Sequence, residues 1–229
     1  MCGRRTAHLT KPAFYNHLLT VHASLVINSS GLAPYLKRYV QNHVREDIAE
    51  ALPVNPHCPW DSVIELWWPD INAMQTSLNE PEYLANVRPD EGYFTDRERL
   101  LIQLAREHQT FEFAPQRGDV KCFDFLAPRQ GVSVDELLSA VGATTQACYA
   151  DIAQPVAINA RTLNLTLQDE TAALGQPAQH ALVVETWVGD THAYQVARRE
   201  EMQRLEGLLD AQACFSVAAM EFPILDRTR

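Results

Sequence analysis

Short alternating runs and stretches of helical period divide this chain into a readable series of elements. Val120–Leu126 is an apolar run ended by Pro128 and Gly131, and it predicts a strand. Ser133, with Glu136 three residues on, forms a capping box for a helix that carries Leu137, Leu138 and Val141 on its apolar face and runs to about Ala150. Alternation over Ala157–Leu167 and His180–Val188 predicts two more strands. Ala193–Ala211 reads as an amphipathic helix burying Val196, Leu205, Leu208 and Leu209, and Cys214–Ile224 as a closing strand. The order β-α-β-β-α-β is that of a ferredoxin-like, split βαβ module.

The first half follows the same plan. Thr10 caps a helix to about Val26, Tyr35–Val44 and Asp61–Trp68 read as strands, Ile71–Leu78 begins a helical stretch that breaks near Pro81, and Arg99–Glu107 reads as the last strand. Only Met1–Thr6 is available for a first strand. A repeat ties the halves together: Glu65, Trp67 and Asp70 recur as Glu185, Trp187 and Asp190, at a constant offset of 120 in a chain of 229 residues. The expected architecture is α+β, with a first module over 1–113, a linker over 114–119 containing Pro115 and Gly118, and a second, divergent module over 120–229. A sheet covered by helices on one face needs cover on the other, so two modules packed sheet to sheet are expected, as an intramolecular barrel enclosing a ligand cavity.

Alternation then nominates cavity residues. Ile64 and Leu66 suit the helix-packed face, which leaves Glu65 and Trp67, with Glu185 and Trp187, pointing between the sheets. If Val40 packs on the helices, Tyr39, Gln41 and His43 join Glu65 in the cavity. An enclosed imidazole, phenol and carboxylate could run acid–base chemistry near neutral pH. His22 is the second candidate imidazole, set between apolar Val21 and Leu25, where it needs a partner. Catalysis is therefore assigned to His22, His43, Tyr39 and Glu65, and substrate contact to Trp67, Gln41, Asp61, Glu185 and Trp187. Each has a plainer reading. His22 could pin its helix, His43 could be a solvated strand-end residue, Asp61 and Tyr93, which could line an entrance, could equally be solvated loop residues, and the recurrence of Glu65 as Glu185 favours a fold role. The tryptophans could be core or cavity wall.

Three segments carry a family resemblance: Tyr-Val-Gln-Asn-His at 39–43, Val-His-Ala-Ser-Leu-Val at 21–26 and Val-Ile-Glu-Leu-Trp-Trp at 63–68. Together with the acidic-aromatic stretch Asp90–Asp96, they resemble the EthD domain of the dimeric α+β barrel superfamily. Arg4-Arg5 fits the end of that family's first strand, which places most of the strand upstream of Met1 or leaves it out. The resemblance spans 4–112, and 120–229 follows in pattern only, as a tandem EthD-like copy. It implies pathways of ether degradation or polyketide metabolism, in a superfamily that also holds cofactor-independent monooxygenases, isomerases and haem proteins. Aligning Thr10 with Ser133 sets His22 opposite Thr145, and the strand with Asn159, Arg161 and Leu163 has no histidine. The first module is thus expected to carry the reaction, with Glu185 or Arg161 of the second as a substrate contact.

Composition narrows the partners. With 19 Lys and Arg against 29 Asp and Glu, the formal charge of −10 disfavours nucleic acid and anionic membranes. No apolar run is long enough to span a bilayer, and no secretory pattern is visible, so a cytoplasmic protein is expected. The five cysteines, Cys2, Cys58, Cys122, Cys148 and Cys214, read as scattered thiols. His17, His57, His108, His180 and His192 show no metal spacing and read as surface or packing residues, so no metal and no cofactor is assigned. The expectation is a cofactor-independent lyase, isomerase, decarboxylase or dehydratase acting on a small apolar or aromatic metabolite, as a monomer or homodimer. A non-catalytic binding protein and a cofactor-free oxygenase are the alternatives.

Overall fold

A computed structural model describes residues 1–51, 59–150, 157–177 and 180–228; His57 and Cys58 lie outside the described residues. In chain order the strands are β1 (Cys2–Gly3), β2 (Arg38–Val44), β3 (Ser62–Trp67), β4 (Ala105–Glu112), β5 (Val120–Leu126), β6 (Ile158–Thr166), β7 (Leu182–Val188) and β8 (Phe215–Asp226). The α-helices are α1 (Lys11–His17), α2 (Ala23–Asn28), α3 (Glu46–Ala51), α4 (Ile71–Asn79), α5 (Arg88–Phe94), α6 (Val134–Tyr149), α7 (Gln168–Ala173) and α8 (Thr191–Leu205). The fold is α+β, its recorded strand pairs are antiparallel, and its modules are ferredoxin-like.

The chain forms two compact units, one of Met1–Val44, Pro59–Leu101 and Glu221–Arg229, the other of Arg45–Cys58 and Ile102–Met220. In the first, β3 pairs with β1 and β2, and the end of β8 lies on the other side of β2, where Arg227 N–H donates to Lys37 O at 2.9 Å. Thr10 caps α1 as expected, its hydroxyl accepting from Ala13 N–H at 3.4 Å. Between α1 and α2 the helix widens into a π turn, Leu18–His22, closed by Ala23 N–H on Leu18 O. The side-chain amide of Gln41 also reaches Leu18 O, at 2.8 Å, and an inserted side chain is a known cause of such a break in the ladder. A second π turn, Tyr83–Val87, runs into α5, where Pro89 has no N–H to continue an α-helical ladder. The core under these helices contains Phe14, Leu18, Val26, Tyr39, Ile64 and Phe94.

In the second unit the strand order is β8-β5-β7-β6-β4. Ser133 caps α6 by accepting from Glu136 N–H at 3.1 Å, and Leu126, Leu137, Val141, Leu163, Val184 and Leu205 form the core beneath. α8 begins two residues before the expected start and ends at Leu205. Its buried face is Tyr194, Arg198, Glu201 and Leu205, while Val196 is 52% exposed. A hydrophobic pattern could not find that face, because much of it is charged.

The expected last strand of the first half, Arg99–Glu107, forms only from Ala105 and continues to Glu112. Arg97–Arg99 is a 3₁₀ turn, Leu101 makes an isolated bridge to Cys2, and β4 starts at Ala105 and pairs with β6 in the second unit. β8 is the counterpart. Its first part, Phe215–Met220, pairs with β5, and Glu221–Arg229 belongs to the first unit. Twelve residues span roughly 40 Å at the strand rise, far more than the register with β5 uses. Each unit is therefore completed by strand from the other half of the sequence.

Candidate functional site

The β2–β3 register decides which side chains share a face. Tyr39 lies opposite Leu66, Gln41 opposite Ile64 and His43 opposite Ser62, while Val40 faces Glu65 and Asn42 faces Val63. Directly paired residues project to the same side of an antiparallel sheet. Tyr39, Gln41 and His43 therefore share the helix-covered face with Ile64 and Leu66, and Glu65 and Trp67 project from the opposite face. The expected cluster of Tyr39, His43 and Glu65 does not exist. The error lay in assigning Val40 to the helices: both faces of β2 are buried, so burial of Val40 decided nothing.

Glu65 instead accepts a hydrogen bond from Asn42 Nδ2 at 2.6 Å, and the Arg38 guanidinium lies 4.6 Å from the centre of the Trp67 ring. The second module repeats this in the same register: Asn164 Nδ2 donates to Glu185 Oε1 at 2.9 Å, and the Lys121 ammonium sits 2.7 Å from Glu185 and 4.3 Å from the Trp187 ring centre. Asp61 is held by an ion pair with Arg5, whose backbone N–H also donates to it at 2.9 Å. These arrangements account for Glu65, Trp67, Asp61, Glu185 and Trp187 as parts of the scaffold.

On the helix face a polar chain runs along β2. Gln41 Nε2 donates to Leu18 O and to Tyr39 Oη, the latter at 2.6 Å, and Gln41 Oε1 faces His43 Nε2 at 3.2 Å. Because the Gln41 oxygen can only accept, His43 carries its proton on Nε2. The His43 ring stacks on Tyr15 at 4.3 Å and meets Phe222 at 4.6 Å, and burial lowers its pKa to about 4. His43 is a neutral ring within the core. Burial also raises the Tyr39 phenol, with the charges of Glu91 and Asp90 acting in the same direction.

His22 stands at the end of the π turn, and its Nδ1 lies 2.9 Å from Asp90 Oδ2. The other oxygen of the same carboxylate, Oδ1, is 2.8 Å from His17 Nε2. Both rings pack on Phe94, and His17 also meets Tyr93, which is 52% exposed and touches His8. Burial lowers the His22 pKa, against the hydrogen bond and charge of Asp90, which raise it; His17 adds a smaller lowering. The imidazole is thus neutral near pH 7. The Asp90 carboxylate fixes the proton on Nδ1 and leaves Nε2 as the basic nitrogen, with no hydrogen bond to it among the described residues. Close by, Glu91 is raised by burial and accepts from Tyr83 Oη at 2.9 Å.

Sequence reasoning found His22 but not its partners. Asp90 lies in the acidic-aromatic stretch that contributes to the family resemblance, which was the available signal. His17, read as surface or packing, is five residues from His22, about 1.4 turns of an α-helix and so on another face. A π turn bonds residue i to i+5 and brings that spacing round to one side. Among the described residues no group of three or more His, Cys, Asp or Glu side chains is arranged to hold a metal ion.

Residues 6–98 match the family model of the EthD domain, a span that includes Tyr39, His43, His17, His22 and Asp90. No curated protein matches the chain by sequence. Among solved structures, a "putative monooxygenase" from Lactobacillus acidophilus aligns with TM-score 0.54 and 8% identity, over 96% of this chain and 92% of its own. A second protein so described, from Fusobacterium nucleatum, aligns with TM-score 0.56 and 6% identity, over 96% and 88%. At these identities the likeness is one of fold, and it extends over both halves of the chain.

Proposed function

We propose that this chain, which carries an EthD domain over residues 6–98, is a small-molecule enzyme whose first module works by acid–base chemistry. The observation that carries the reading is the His22–Asp90 pair, a neutral imidazole whose Nδ1 is fixed by a carboxylate at 2.9 Å and whose Nε2 is left free. Such a base removes a proton from carbon beside a carbonyl. The Tyr39 hydroxyl, its lone pair engaged by Gln41, has its O–H to offer the resulting oxyanion. Returning the proton to another carbon gives an isomerase, and giving it to a departing hydroxide on the neighbouring carbon gives a dehydratase. A decarboxylase would run the other way, losing carbon dioxide from a substrate carboxylate to leave the same enolate, which the protonated imidazole then protonates on carbon. The substrate class is a small aromatic or carbonyl-containing metabolite, and no cofactor is called for. His43 holds Gln41, and hence Tyr39, in place. The sequence halves 1–113 and 120–229, joined by 114–119, are read as the reacting module and its divergent copy, each completed by strand from the other half, in a cytoplasmic monomer or homodimer.

One observation favours a second reading. The description of both structural neighbours as monooxygenases suits a cofactor-free oxygenase, in which the same base forms a carbanion that reacts with molecular oxygen. Turnover of a panel of aromatic ketones and hydroxylated aromatics tests both readings. Acid–base catalysis predicts product without oxygen consumption and loss of rate in His22→Ala at unchanged fold. Oxygen uptake stoichiometric with product would select the oxygenase. A His22→Ala variant as fast as wild type would remove His22 from the mechanism, and saturable binding without turnover would make the protein a carrier.

A further inference from the structure

His17 belongs to the site although it offers nothing to the reaction directly. Its Nε2 and the Nδ1 of His22 sit on the two oxygens of one carboxylate, at 2.8 and 2.9 Å, and all three side chains are largely buried. One negative charge therefore serves two imidazoles. The π turn that aligns residues five apart has no counterpart in α6, an uninterrupted 16-residue α-helix.

We infer that His17 is a positioning residue which, through Asp90, controls how strongly His22 acts as a base. The inference rests on the reading of His22 as the base. When His17 is neutral, its N–H orients Asp90 Oδ1, and the full carboxylate charge supports an imidazolium on His22. When His17 takes a proton, it forms the ion pair itself, and a second cation beside the same carboxylate is opposed by like-charge repulsion. His17 lies against the exposed Tyr93, and its side chain is buried to nearly the same degree as that of His22. The other titratable groups near the trio are His8, which touches Tyr93, Tyr39 on β2 and Glu91 on α5, the last raised by burial against the hydrogen bond of Tyr83 and the charges of Arg97 and Arg88. Neither His8 nor Tyr39 has a hydrogen bond to Asp90 among the described residues.

The test needs no substrate. Imidazole nitrogen NMR of the full chain, recorded across pH, reads the tautomer and titration of each ring. In the wild type His22 should appear as the Nδ1–H form. His17→Gln keeps a donor near Nε2 but cannot take a charge. In it the His22 midpoint should move upward. Asp90→Asn should lower the His22 midpoint, and it stands in if His17→Gln does not fold. An unchanged His22 curve in His17→Gln, or in Asp90→Asn, would overturn the inference. A protein with the coupling intact and no turnover of any substrate would instead sink the acid–base reading.

Discussion

The helix-facing residues of β2 are Tyr39, Gln41 and His43; at the same register on β6 stand Arg161, Leu163 and Leu165. In the first module this face carries a chain of neutral polar groups beside the His22–Asp90 pair. In the second, Arg161 joins Asp124, Arg198 and Glu201 in a fully buried ionic cluster, with Glu201 2.7 Å from each guanidinium. The opposite faces agree almost residue for residue: Asn42 with Glu65 and Asn164 with Glu185, a cation on Trp67 and on Trp187. Asp70 and Asp190 each cap the following helix, accepting from Ala73 and Ala193 N–H at 2.7 Å. What the copies share holds strands and helices in register. What they do not share is a titratable site in one and a neutralised ionic knot in the other.

The largest effect follows from that difference. His22→Ala should slow turnover by about 10²–10⁴-fold, the range for loss of a positioned acid or base, whereas alanine at Thr145, the aligned residue of the second module, should leave the rate unchanged. Steady-state rates of both variants on one substrate make the comparison, and equal losses would place the reaction outside the first module. The ionic cluster predicts the converse. Glu201→Ala leaves two buried guanidinium groups short of a counter-charge and should cost about 3–5 kcal/mol of stability in urea unfolding. Replacing Arg161, Arg198, Glu201 and Asp124 together by apolar residues should restore much of it, because a buried ion pair repays little beyond its own desolvation.

How far these features could be read from sequence depends on their periodicity. Val120–Leu126 and the capped start of α6 stand where alternation and the capping box put them, and β3 lies within one residue of its expected ends. The strand exchange was hidden because β4 and β8 carry the composition of strands wherever they pair, and sequence does not name the partner. The site was half legible. His22 announced itself as a polar group on an apolar stretch, and Tyr39 and His43 as a polar face of a strand. Their correct face needed the cross-strand register, and His17 needed a helical turn of the wrong period. α8 misled for a different reason: Arg198 and Glu201 face inward because Asp124 and Arg161 are there to meet them.

Two smaller effects sharpen the comparison by giving the first module the residues of the second. Gln41→Leu removes the buried amide that bonds Leu18 O and Tyr39 Oη, and should cost about 1–2 kcal/mol in urea unfolding. If the inserted amide widens the helix, the same variant should also shift His22 off Asp90, visible as loss of the Nδ1–H signal. An unchanged signal would mean that the π turn is set by the helix sequence alone.

His43→Leu gives the pH-dependent counterpart. The folded protein holds the His43 imidazole at about 4, against 6.5 for the ordinary group, so between those values the unfolded chain binds more protons. The stability due to a neutral His43 is therefore present above about pH 6.5 and is lost as the pH falls toward 4. Between pH 7 and 5.5 the wild type should lose about 1 kcal/mol more than His43→Leu does, since His22 and His180, also lowered by burial, titrate in both proteins. Urea midpoints of the two proteins at those pH values measure the difference. Parallel losses would mean that His43 is not held neutral in the core, and the imidazole would return as a second candidate for moving protons.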